Sequence, residues 1–179
     1  MAIKIKVLGS GSGGNCTLVD TGRTRVLIDA ARLGQRYITA RLSETGVDIK
    51  EIDAIFATHM HGDHVDSGVT YPICRKHDIP LFVHEGSFAD LVRRSSRFLE
   101  LERAGLVRKF RTERFVFNGL TISPFEVSHG SGGWNADIVG RPVGFRMSLF
   151  DGPRETVFSY STDLGQVTPE IEQAMAGAD

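Results

Sequence analysis

Three imidazoles and a carboxylate crowd into six consecutive positions, His59-Met60-His61-Gly62-Asp63-His64, directly after an apolar run at 52–58 that reads as a buried strand. A fold that accepts this segment must end an interior strand where these side chains can converge. Cationic imidazoles packed so closely would repel one another, whereas a divalent ion requires them neutral and the carboxylate ionised. The segment therefore points to a metal site, and to catalysis. His59 and His61, two apart at a strand end, can converge on one ion. Asp63 and His64, beyond the bend at Gly62, can reach a second. Two ions about 3.5–4 Å apart share a water and can activate it as hydroxide.

The rest of the chain supplies strand ends to complete such a site. Strands are expected at 3–7, with one solvated face, and as a hairpin at 16–20 and 25–29. A helix at 35–44 follows, closed by Gly46. After the histidine segment come a helix at 67–76, a strand at 80–83 and helical signal over 88–103, closed by Gly105. A hairpin turns at Asn118-Gly119 between 115–117 and 120–127, and a glycine-rich loop spans 130–141. A third hairpin joins 143–150 to 155–160 around Asp151-Gly152, and a helix starts at Pro169. Three hairpins mixed with helices predict α+β layers rather than regular β-α-β alternation.

His129 ends the strand of the second hairpin, and Asp163 follows the last strand. Beside the histidine segment, His129 reads as a further ligand and Asp163 as a carboxylate able to bridge two cations. Asp29, at the end of the 25–29 strand, suits either a turn cap or a hydrogen bond to a ligating imidazole, which normally donates its second N–H. His84 could line the pocket, and His77 reads as a helix-surface residue. Gly9-x-Gly11-x-x-Gly14 follows a strand, as in a dinucleotide fingerprint, but that motif must open a helix. Here Cys16-Thr17-Leu18-Val19 reads as a strand instead, so a tight turn bringing backbone close to the site is expected.

The formal charge of −1 provides no global field for nucleic acid or anionic membrane. It leaves room for a local basic groove from Arg93, Arg94 and Arg97 or from Arg108, Lys109, Arg111 and Arg114. Cys16 and Cys74 are far apart and in no metal-type pair, the pattern of reduced thiols in a cytoplasmic protein. The N-terminal alternation of apolar residues and lysines is no signal peptide, and no run is long enough to span a membrane.

Taken together, Thr58-His59-x-His61-x-Asp63-His64, Ser128-His129 and Thr162-Asp163 resemble the metallo-β-lactamase superfamily. Gly9-Ser10-Gly11-Ser12-Gly13-Gly14-Asn15-Cys16 and Ser161-Thr162-Asp163-Leu164-Gly165 are similar to its phosphodiesterase and exonuclease-like branch, near the cyclic-phosphate phosphodiesterases and tRNA 3′-processing endonucleases. The resemblance implies one domain over 1–179, an αββα sandwich with the site at one edge of its two sheets. It implies that His59, His61 and His129 bind a first divalent metal, Zn²⁺ or Mn²⁺, and that Asp63 and His64 bind a second, with Asp163 bridging. It implies hydrolysis of a small phosphodiester or nucleic-acid substrate by a metal-bridging hydroxide that Asp63 orients. An ester, thioester or lactone is the alternative bond, and a metal-binding domain without turnover is the alternative class. Family members continue into a further strand and a last histidine ligand. The expectation is thus a C-terminally truncated sandwich whose second metal site is partly occupied, or is completed by a partner chain, as in a homo-oligomer.

Overall fold

Strands whose residues are apolar at nearly every position need cover on both faces. The first half of the chain meets that need with a six-stranded sheet between helices and a second sheet. The computed structural model describes residues 3–129 and 140–179. Its first sheet runs in the order β1 (Lys4–Gly9), β2 (Cys16–Asp20), β3 (Arg25–Ile28), β4 (Ala54–Phe56), β5 (Leu81–His84), β6 (Val107–Phe110). β1 to β3 are antiparallel, whereas β3 to β6 are all parallel. Parallel neighbours require crossovers. These contain α1 (Gln35–Ser43), α2 (Thr70–His77), and the pair α3 (Glu85–Arg94) and α4 (Arg97–Arg103). The second sheet has the order β10 (Arg154–Tyr160), β9 (Val143–Asp151), β8 (Leu120–Glu126), β7 (Phe115–Phe117), with α5 (Pro169–Met175) outside it.

Period-two alternation divides the first sheet between two cores. Leu18, Leu27, Ile55 and Leu81 stand in register and pack with Ile38, Leu42, Ile73, Phe98 and Leu101 of the helices. Their neighbours Val19, Val26, Ile28, Phe56 and Phe82 face Leu120, Ile122, Phe145 and Met147 of the second sheet. Phe56 is central to this inter-sheet layer. Its ring stacks on Phe82 at 4.5 Å between centroids and meets Phe145 edge-on at 5.7 Å. On the outer side, α5 buries Ile171, and its carbonyls at Ala174 and Ala176 accept from the Arg146 guanidinium. The layers are therefore helix, sheet, sheet, helix, the architecture the resemblance implied.

Several local expectations change. The parallel half of the first sheet is a run of β-α-β units, where hairpin-dominated layers were expected. The helix expected over 88–103 is two, because Ser95 is extended. β6 carries two exposed cations and gave no strand pattern. In β1 the apolar positions Ile5 and Val7 are 46 % and 52 % exposed, because the second sheet leaves this edge uncovered. The Asn118-Gly119 turn forms as expected, both residues having positive φ, the demand of a two-residue type I′ hairpin. The loop expected at 130–141 lies outside the described residues up to 139.

Because Phe145 is fully buried in the inter-sheet layer, Phe145→Ala is expected to cost about 3–5 kcal/mol. Val116→Ala, at an exposed position of β7, should stay within about 0.5 kcal/mol. Denaturant unfolding of the two variants beside the parent checks both values.

Candidate metal centre

The carboxyl ends of adjacent parallel strands form one edge of the first sheet, and the candidate residues leave from that edge. Asp29 follows β3, Thr58 and His59 follow β4, and His84 closes β5. Asp29 is completely buried, with φ of 58°, a backbone region that Asp and Asn tolerate better than most side chains. Its Oδ1 accepts the Thr58 N–H at 2.9 Å and its Oδ2 the Thr58 hydroxyl at 2.8 Å. The same Oδ2 lies 2.7 Å from Nδ1 of His64.

These contacts fix two tautomers. An ionised carboxylate only accepts, so Nδ1 of His64 carries the proton it donates. The Thr58 hydroxyl spends its proton on Asp29, so at 3.0 Å it accepts from Nδ1–H of His59. In the neutral form of both rings Nε2 is left as a bare acceptor turned into the same space. Asp29 thereby orients a ligand candidate in each of the two groups described next, the hydrogen-bonding option of its two expected roles.

The first group is His59, His61, His129 and Asp163; the second is Asp63, His64 and Asp163. Within each, donor atoms lie within 4.8 Å of one another. Nδ1 of His61 lies 3.2 Å from Nε2 of His59 and 3.1 Å from Nε2 of His129. Oδ2 of Asp163 lies 3.4 Å from Nε2 of His59, 3.8 Å from that of His129 and 3.2 Å from that of His64. Among the described residues, Asp163 is shared by both groups. All six residues expected at the site thus come together. His84 does not join them: its Nδ1 accepts the Gly86 N–H and caps α3. His77 is half-buried in the last turn of α2.

Two contacts bring the second sheet to this edge. The Val143 N–H donates to the Thr58 carbonyl at 3.0 Å, and the Gly165 N–H to the Ser128 carbonyl at 2.6 Å. The latter holds the residues after β8 against those after β10, next to His129 and Asp163. The glycine-rich turn supplies a further brace. Gly14, at φ 132°, packs where a Cβ would strike the Ala31 carbonyl, and Asn15 then binds the ligand loop. The Asn15 N–H donates to the Asp63 carbonyl at 2.8 Å, and its Nδ2 lies 3.0 Å from Nε2 of His64. A strand follows, not a helix, so the turn is no dinucleotide fingerprint. In the sequence, Asn15 and Thr58 are marked only as members of the motifs behind the family resemblance. Their signal was adjacency: one ends the glycine run, the other precedes His59.

Burial foremost, then the neighbouring imidazoles and Arg94, pushes the pKa of His59 down to about 2. Burial and His129 lower that of His61. Burial also opposes a charge on His64, but the hydrogen bond and charge of Asp29 outweigh it, and the pKa of His64 is raised. Cys16 and Cys74 are both free and buried, so the described site offers imidazole and carboxylate donors and no thiolate.

A fold of this kind, with this motif at the sheet edge, defines the metallo-β-lactamase class, and the chain belongs to that superfamily. A family model described as a beta-lactamase superfamily domain matches residues 24–179. The chain is 30 % identical over 181 residues to a protein named exodeoxyribonuclease WalJ from Streptococcus pneumoniae, covering all of this chain and 61 % of the relative. It is 34 % identical over 86 residues to exodeoxyribonuclease YycJ from Bacillus anthracis, covering 48 % of this chain and 31 % of that one. Among solved structures, a B3 metallo-β-lactamase with an active-site glutamic acid superimposes with a TM-score of 0.61 at 15 % identity, over 95 % of this chain and 68 % of the other. The chain thus spans about three-fifths of the WalJ relative's length.

The raised pKa of His64 makes a linked prediction. With a chelator keeping the imidazoles free, the His64–Asp29 contribution to stability is complete below the ordinary imidazole pKa near 6.5. It is lost as pH rises through the raised value of the folded protein. Asp29→Asn should therefore cost about 1–3 kcal/mol at the lower pH. The gap to the parent should narrow as pH rises. Unfolding curves at several pH values measure the gap, and one that widened with pH would contradict the assignment.

Proposed function

We propose that this chain is a metal-dependent hydrolase of phosphodiester bonds, a nuclease acting on nucleic acid. The observation that carries the two-metal reading is the placement of Asp163 Oδ2 between ring nitrogens of His59 and His129 on one side and that of His64 on the other. Zinc bonds of about 2.0–2.2 Å in a tetrahedral set place ligand atoms about 3.3–3.6 Å apart. Four of the separations within the first group, 3.1 to 3.8 Å, suit such an ion. His59, His61 and His129 would hold one ion, Asp63 and His64 the other, with Asp163 shared. Imidazole with carboxylate and no thiolate suits zinc or manganese. The names of the WalJ and YycJ relatives favour DNA as the substrate.

Two such ions would supply Lewis acidity toward phosphoryl oxygens and would make a bound water more acidic. The chain's own residues do the rest. His59 and His61 stay neutral near physiological pH, so binding an ion displaces no proton from them. Asp29 and Thr58 keep the acceptor nitrogens of His59 and His64 turned inward. Asp63, braced by Asn15, orients the attacking water and accepts its proton. Free buried thiols at Cys16 and Cys74 suit a cytoplasmic setting. Among the described residues, no helix is long and apolar enough to cross a membrane.

Asp63→Asn is expected to lower kcat on bis(p-nitrophenyl) phosphate on the order of 10²–10⁴-fold. His59→Ala should reduce metal content per chain by elemental analysis and abolish turnover. Full activity in both variants would defeat the hydrolase reading.

Acid should empty the two positions in order. The pKa of His64 is raised while those of His59 and His61 are lowered, so of these three rings His64 takes a proton first on acidification. Metal release into a chromophoric chelator, followed from about pH 8 to about pH 4, is expected in two steps. The step at higher pH should vanish in His64→Ala, and its persistence there would contradict the assignment.

A further inference from the structure

Gly62 stands between the candidate ligands His61 and Asp63, and two arginines converge on it from different parts of the chain. A Cβ built on Gly62 would lie 2.8 Å from Nη2 of Arg94 and 3.1 Å from Nη2 of Arg32. Arg32 comes from the loop after β3, Arg94 from the last turn of α3. Among the described residues, no carboxylate pairs with either guanidinium. Asp63 and Asp66 act on Arg94 only through longer-range charge, while Arg32 repels it. Two like charges brought together with no carboxylate in direct contact are costly, and they lie beside a site whose substrate would be an anion.

The surrounding cations are occupied. Arg93 pairs with Asp90, Arg97 donates to the Ser67 carbonyl, Lys109 pairs with Glu102, and Arg111 with Glu85. From the two basic clusters noted in the sequence, Arg94 is placed against Gly62. Arg32 had no such signal, and its backbone is held in an unusual state. Its φ is 55°, and its N–H donates to Oδ2 of Asp66 at 2.6 Å. Left-handed backbone at a non-glycine residue persists where surrounding structure enforces it. Here it places a long cation over the ligand loop. The absent side chain at Gly62 leaves both guanidiniums at the loop surface, near enough to share one phosphate with several N–H donors.

We propose that Arg32 and Arg94 form a clamp for a phosphate of the nucleic-acid strand adjacent to the one being cleaved, so that the site prefers polynucleotide over an isolated phosphodiester. This rests on the nuclease reading above. It predicts a substrate of at least two consecutive phosphates, one at the metal centre and the next over Gly62.

The test compares the zinc-loaded parent with the double variant Arg32→Gln, Arg94→Gln on two substrates. One is a short single-stranded oligodeoxynucleotide, the other bis(p-nitrophenyl) phosphate, which has one phosphate. The variant should lose at least tenfold more kcat/KM on the oligonucleotide than on the reporter. Binding of a fluorescein-labelled oligonucleotide, measured by anisotropy with salt, should lose roughly 0.7 from its log–log slope per phosphate released. Arg32→Lys, Arg94→Lys should restore that slope. Equal losses on both substrates, or an unchanged slope, would overturn the clamp while leaving the hydrolase intact. If the parent cleaves neither substrate, the nuclease reading fails, and the salt slope alone decides the clamp: a reduced slope supports it and an unchanged slope rejects it.

Discussion

The carboxylate of Asp29 is the contact on which the site depends. It is wholly buried, and three donors from two residues surround it: the Thr58 N–H, the Thr58 hydroxyl and Nδ1–H of His64. Taking a carboxylate out of water is tolerable only when donors meet it, and here three do. Because it can only accept, its protons come from fixed directions, and the rings of His59 and His64 inherit their orientation. A neutral or differently shaped group would leave Thr58 and His64 free to turn. The geometry of two ligand groups thus follows from one acceptor at the end of β3.

The two sheets bring different parts. The first contributes the segment from His59 to His64 and its support at the ends of neighbouring parallel strands. The second contributes His129 and Asp163 from beyond β8 and β10, which flank β9. Neither set is complete without the other, and the sheets are held together by the aromatic layer around Phe56. Backbone hydrogen bonds from Val143 to Thr58 and from Gly165 to Ser128 then set the remaining alignment at the edge itself. Packing brings the sheets into contact, and these directional bonds hold the loops that carry the candidate ligands in place.

Much of this was legible in the residues. The histidine segment after an apolar run, and a histidine and an aspartate at later strand ends, were enough to assemble the six residues that converge. Asn118-Gly119 announced its hairpin because few other pairs accept two positive φ values. Other parts were written in contacts rather than in pattern. β6 has one buried residue, Phe110, beside two exposed cations, so no alternation betrays it. The break between α3 and α4 falls at Ser95, in a stretch whose apolar spacing runs on. Parallel pairing of β3 to β6 is a long-range choice that short apolar runs leave open. Arg32 lies in a loop without periodicity, and only the folded backbone shows where it points.

β4 is three residues long, and Phe56 ends it two positions before Thr58. The ring at the centre of the inter-sheet layer and the residue that donates two hydrogen bonds to Asp29 are thus joined by almost no chain. Such a segment has little slack to absorb a shift. In β9 a repacked side chain can relax along nine residues, whereas a displacement at Phe56 is passed directly to the ligand loop. Sequence drift in this core is therefore constrained by chemistry as much as by stability. Substitutions that conserve volume at Phe56 but tilt its ring should be tolerated by the fold sooner than by the site.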